Sequence, residues 1–130
     1  MYQKRGYFER KRILKEANFL DLTPLPQHPH DLDEKGMVKV QVPRFTGLLG
    51  RLLQARAPHP HIHVSLDELG TAVWQLCDGK NNVRMICNIL EARLGEKIDP
   101  ARDRVTRFLF QLYKNNLIVF REIIKQPNHD

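Results

Sequence analysis

A chain of 130 residues has room for one domain that buries most of its apolar surface without disulfides or metal. Hydrophobic residues at 42% and charged residues at 28% exclude wholesale disorder. The net charge of +6 invites a nucleic-acid reading, but residues 1–16 hold Lys4, Arg5, Arg10, Lys11, Arg12 and Lys15 against only Glu9 and Glu16, so the body is nearly neutral.

The basic start also carries Ile13, Leu14, Ala17 and Leu20 at helical spacing, which predicts a weak helix or an arm. Three prolines in Thr23-Pro24-Leu25-Pro26-Gln27-His28-Pro29-His30 forbid a helix there and predict a linker or an extended lead-in. Glu34-Lys35-Gly36 supplies a turn, and Met37 to Val42 alternates apolar and polar residues as a half-buried strand does, with Pro43 ending it. Leu48, Leu49, Leu52 and Leu53 give a short helical stripe weakened by Gly50 and stopped by Pro58 and Pro60. A second strand follows, with Ile62, Val64 and Leu66 on one face.

Three helical patterns come next. Asp67 is a candidate N-cap for a helix to about Cys77, with Leu69, Val73, Leu76 and Cys77 inward and Asp78-Gly79 closing it. Asn82 caps a helix from Val83 to about Leu94, ended by Gly95, with Val83, Ile86, Cys87, Leu90 and Leu94 as its apolar side. Asp99-Pro100 predicts an acceptor at N-cap and a proline at the first helical position of the longest helix, which buries Val105, Phe108, Leu109, Leu112 and Tyr113 and ends at Asn115-Asn116. Leu117 to Phe120 is a β-prone run, and the tail 125–130 should fray.

The order of strands, three helices and a short strand predicts an α+β domain, a small antiparallel β-sheet followed by a winged-helix-like three-helix bundle. The expected organisation is a basic arm and Pro-rich linker over 1–30, a domain over 31–124 with its core at 61–122, and a tail over 125–130.

Few residues suggest chemistry. Cys77 and Cys87 sit on apolar helix positions ten residues apart, which suits reduced, packed thiols in a cytoplasmic protein and not a redox pair. His59, His61 and His63 alternate as metal-binding imidazoles could, as do His28 and His30. No nearby cysteine or carboxylate completes a set, so no metal and no cofactor are expected. Trp74 lies beside the inward stripe of its helix and reads as a core or domain-edge residue, with a peptide-stacking platform as the alternative. No phosphate loop, serine-histidine-acid set or paired carboxylates stand out, so the chain reads as a non-enzyme. No apolar run reaches the roughly 20 residues of a membrane span, and no secretory apolar segment follows the charged start.

The run Val64-Ser65-Leu66-Asp67-Glu68-Leu69-Gly70-Thr71-Ala72-Val73-Trp74-Gln75-Leu76-Cys77-Asp78-Gly79, then Val83 and Ile86, then Val105, Phe108, Leu109 and Leu112 before Asn116-Leu117-Ile118, resembles the PqqD family. That fold is also called the RiPP recognition element, and the likeness covers roughly His61 to Glu122. The resemblance implies a non-catalytic peptide chaperone that binds the leader of a ribosomally made precursor peptide and presents it to a modifying enzyme, often of the radical SAM type. It implies strand addition on Ile62, His63, Val64 and Ser65, with Arg104, Val105 and Phe108 at the start of the third helix as the groove wall. The alternative for the strand is internal pairing on both sides. Pairing of two copies through an open edge is a further option.

The competing function is a winged-helix nucleic-acid binder reading through Arg102, Arg104, Arg107, Gln111 and Lys114, against which these residues form a solvated face offset by Asp99 and Asp103.

Overall fold

The structure is a computed structural model, and it describes residues 6–8, 10, 12, 18–43 and 61–124. The helix expected over Leu48–Leu53, most of the basic arm and the tail lie outside the described residues. Within the arm, the Arg10 N–H donates to the Gly6 carbonyl at 2.9 Å, one helical bond.

Among the described residues, five strands form two antiparallel sheets. The first pairs β1 (Pro24–Pro26) with β5 (Ile118–Phe120); the second runs β2 (His30–Leu32), β3 (Val38–Pro43), β4 (His61–Ser65) in that spatial order. Three helices, α1 (Glu68–Gln75), α2 (Val83–Leu94) and α3 (Ala101–Lys114), lie between β4 and β5 in sequence. This is the expected α+β arrangement of a small antiparallel sheet and three helices.

Of the two readings of residues 23–30, the extended lead-in describes the fold, and it joins the core directly. Leu22 is fully buried. Its neighbours are stitched on by main-chain bonds: Val83 N–H to the Leu22 carbonyl, Arg121 N–H to Thr23, Gly79 N–H to Pro24 and Gln27 N–H to Leu117, all 2.9 to 3.0 Å. Glu122 accepts from both the Thr23 N–H and its hydroxyl. Because Thr23 and Gln27 bond toward the β5 side, Pro24 and Pro26 fall on the alternate positions whose N–H would point away from β5, where its absence breaks no rung.

The β2–β3 hairpin turns on Asp33, whose carboxylate accepts from the Lys35 and Met37 N–H groups while Gly36 takes φ +82°. β2 escaped the sequence reading because His30, Asp31 and Leu32 are all exposed and carry no apolar alternation. In β3 the alternation holds: Val38 and Val40 are fully buried.

α1 and α2 follow their expected caps. The Asp67 carboxylate accepts from Gly70 N–H and the Asn82 side chain from Met85 N–H, while Gly95 closes α2 at φ +54°. Gly79 is left-handed at φ +79°, and a Cβ there would collide with the Leu25 side chain. The start of α3 differs from expectation. Pro100 is the N-cap in extended geometry and makes no side-chain cap, its carbonyl accepts from Arg104 N–H, and Asp99 lies one residue outside.

The core joins Val38 and Val40 of β3, Val73 and Trp74 of α1, Ile86 and Leu90 of α2, Val105 and Leu109 of α3 and Ile118 and Phe120 of β5. Trp74 is 2% exposed, as its sequence position suggested, and its indole N–H donates to His30 Nδ1 at 3.1 Å. Cys77 and Cys87 are free and buried. Burial pushes the Cys77 thiol up to about 12, and its Sγ–H donates to the Val73 carbonyl. No helix among the described residues is long and apolar enough to cross a membrane.

Candidate functional site: an edge strand and a pocket at its end

In the register of the larger sheet, Ser65 stands opposite Lys39, Val64 opposite Val40, His63 opposite Gln41 and Ile62 opposite Val42. Leu66 N–H donates to the Val38 carbonyl at 2.9 Å, whereas Gln41 N–H turns the other way to Pro29, beside β2. In an antiparallel ladder the bonded pairs alternate. Ile62, Val64 and Leu66 therefore bond β3, and His61, His63 and Ser65 direct their N–H and C=O groups away from it.

That outer side of β4 is unpaired among the described residues. β2 forms the other edge, but it is three residues long, begins after Pro29 and ends in the Asp33 turn, devices that blunt an edge. β4 is five residues long. Its inward face is graded: Leu66 is buried, Val64 half-buried, and Ile62 46% exposed. His63 and Ser65 are exposed on the opposite face.

Where β4 hands over to α1, a pocket of about 160 Å³ opens between α1 and α3. Leu69, Val73, Ile98, Val105 and Phe108 make it apolar, and Asp67 and Arg104 stand among them. Arg104 is held by a 2.7 Å hydrogen bond from its guanidinium to the Lys97 carbonyl. Asp67 is occupied as the α1 cap. Gly70 lets the helices approach, since a Cβ there would stand 3.0 Å from Phe108 Cζ.

The seven residues named from sequence thus fall into two groups. Ile62, His63, Val64 and Ser65 form the edge strand, and Arg104, Val105 and Phe108 share one pocket. The strand residues do not line that pocket. Sequence reading missed the α1 side, Leu69, Gly70 and Val73; a glycine inside a strong helical pattern was the available signal.

His59 lies outside the described residues, and His28 and His30 take separate partners. His28 Nε2 donates to the Asn116 carbonyl at 3.0 Å and His30 accepts from Trp74. Among the described residues no group of three potential ligands could hold a metal. Of the arginines named for nucleic-acid reading, Arg107 pairs with Asp103 at 3.2 Å and Arg104 bonds Lys97.

Residues 57–118 match the family model described as Coenzyme PQQ synthesis protein D (PqqD). This stretch is similar to the PqqD family. The PqqD match contains β4, all three helices and every residue lining the pocket, while β1, β2 and β3 precede it. Members of that family are non-catalytic accessory proteins, described as peptide-binding and associated with coenzyme PQQ synthesis. The match lends nothing to the nucleic-acid reading. No curated protein and no solved structure matches the chain.

Proposed function

We propose that this chain is a peptide-capturing accessory protein. It binds the leader of a ribosomally synthesised precursor by strand addition on β4 and presents it to a modifying enzyme of the radical SAM type. The chain itself supplies no catalytic group, cofactor or metal, and it works in the cytoplasm.

The observation that carries this reading is the alternation on β4. His61, His63 and Ser65 offer outward N–H and C=O groups in a row, and the strand ends at an apolar pocket. Main-chain ladder bonds hold any extended peptide, and a side-chain pocket chooses among them. The apolar lining from Leu69, Val73, Ile98, Val105 and Phe108 favours a branched aliphatic or aromatic side chain, with Arg104 and Asp67 beside it to select polar neighbours. Ile62 adds exposed apolar surface at the far end of the same strand.

The test is an amide NMR titration of the labelled full chain with the short peptides encoded beside its gene, run in parallel with duplex DNA at moderate salt. Shifts clustered at His61, His63, Ser65, Gly70 and Arg104 to Phe108 with a peptide support the reading. Shifts confined to α3 and the basic arm, seen only with DNA, contradict it.

A further inference from the structure

α3 has two flanks. Phe108 and Phe110 are two residues apart, about 200° round a helix, and each lines a pocket the other does not, while both border the concavity between those pockets with Arg104, Arg107 and Gln111. Phe108 closes the pocket beside α1. Phe110 is 50% exposed and turns instead toward the segment ahead of β1, where its ring meets Phe19 edge-on at 6.4 Å. Phe19 is fixed from below by an edge-on contact with buried Phe120 at 5.4 Å. An exposed aromatic is thus mounted on a rigid base and does not hang from a loose chain.

Around these rings lies a second concavity of about 520 Å³, lined by Phe19, Leu20, Arg102, Thr106, Arg107 and Phe110. Its lining holds two guanidiniums and no carboxylate. The Lys114 ammonium stands 5.7 Å over the Phe110 ring. In sequence, the stretch leading into Phe19 is the one with six cations against two carboxylates over residues 1–16. The Asp103 carboxylate that faces Arg107 forms an exposed i,i+4 pair, the weak kind that an incoming carboxylate displaces easily.

We infer that this flank is a docking surface for an acidic protein segment carrying an apolar anchor, separate from the peptide edge on β4. An aromatic or aliphatic side chain of the partner fits between Phe19 and Phe110, and its neighbouring carboxylates meet Arg102 and Arg107. Apolar anchor plus charged rim is the usual composition of a compact protein interface. This concavity shares no lining residue with the pocket at the end of β4, so one helix offers a surface to each of two partners. The inference stands on this flank alone and does not depend on capture at β4.

The test is an amide NMR titration of the labelled full chain with three blocked pentapeptides: Glu-Glu-Phe-Glu-Glu, Lys-Lys-Phe-Lys-Lys and Glu-Glu-Ala-Glu-Glu. The first should shift Leu20, Thr106 and Phe110. The other two should bind at least about tenfold more weakly, as should the first peptide to Phe110→Ser, a half-exposed position whose loss leaves the core intact. Equal binding of the basic peptide, shifts at Gly70 and Arg104 instead, or no shift at millimolar peptide would overturn the inference. Concentration-dependent broadening of the same amides without peptide would assign the flank to a second copy, and shifts there with duplex DNA alone would assign it to nucleic acid; either also overturns it.

Discussion

Phe108 rests on Gly70: a Cβ at residue 70 would lie 3.0 Å from the Phe108 ring, 3.1 Å from the Asp67 carboxylate and 3.3 Å from Leu66 Cβ. One missing methyl group therefore keeps α1 and α3 close, leaves the cap in place and holds open the pocket at the end of β4. In Gly70→Ala the ring, which lines the pocket, must give by a few tenths of an ångström. Peptide affinity should fall several-fold. Stability should change by no more than about 1 kcal/mol, because the gain in helix propensity offsets the pressure on the cap. Denaturant unfolding and a binding titration on the same variant check both halves.

Trp74 and His30 make a second informative pair. Trp74 is the single tryptophan of the chain, so its fluorescence reports this site alone. Replacing His30 by alanine removes the acceptor of a buried indole N–H. The expected loss is about 1 kcal/mol, with a changed Trp74 emission in the native state. An unchanged emission maximum and unchanged unfolding midpoint would show that the bond contributes nothing.

His28 gives the fold a pH dependence of definite sign. Burial against the start of β5 lowers its pKa below the ordinary 6.5, outweighing the opposing effect of the Asn116 carbonyl. Below pH 6.5 the unfolded chain therefore binds a proton that the folded chain resists. The contribution of His28 is fully present above 6.5, declines as pH falls from there through the folded value, and is constant below it. Comparing unfolding of the native protein and His28→Gln at pH 7.5 and 5.5 isolates this group. The native protein should lose more stability than the variant on acidification; an equal loss would contradict the account.

Where local chemistry decides an element, residue patterns reveal it. The Asp67 and Asn82 caps, the Gly95 stop and the β3 alternation all have their causes within four residues, and each stands where its pattern placed it. Arg104, Val105 and Phe108, named as a groove wall through family likeness, line one pocket. What stayed hidden depends on partners far along the chain. β1 is a strand only because Ile118 to Phe120 comes back beside it, and Pro24 and Pro26 disguise it locally. β2 borrows its hydrogen bonds from β3 and buries nothing. The division of β4 into inward-bonding and outward-bonding residues is likewise set by register against β3, which no pattern within His61 to Ser65 specifies.

That division provides the most direct test. Proline at His63 removes an N–H that points to the free edge, a change an edge strand tolerates, whereas proline at Val64 removes one that bonds β3. Affinity for a gene-neighbouring peptide should be measured for the native chain, His63→Pro and Val64→Pro, with unfolding midpoints alongside. His63→Pro should keep its fold and lose at least about tenfold in affinity, while Val64→Pro should be markedly destabilised. A folded His63→Pro that binds the peptide as tightly as the native chain would show that the peptide does not pair with this edge.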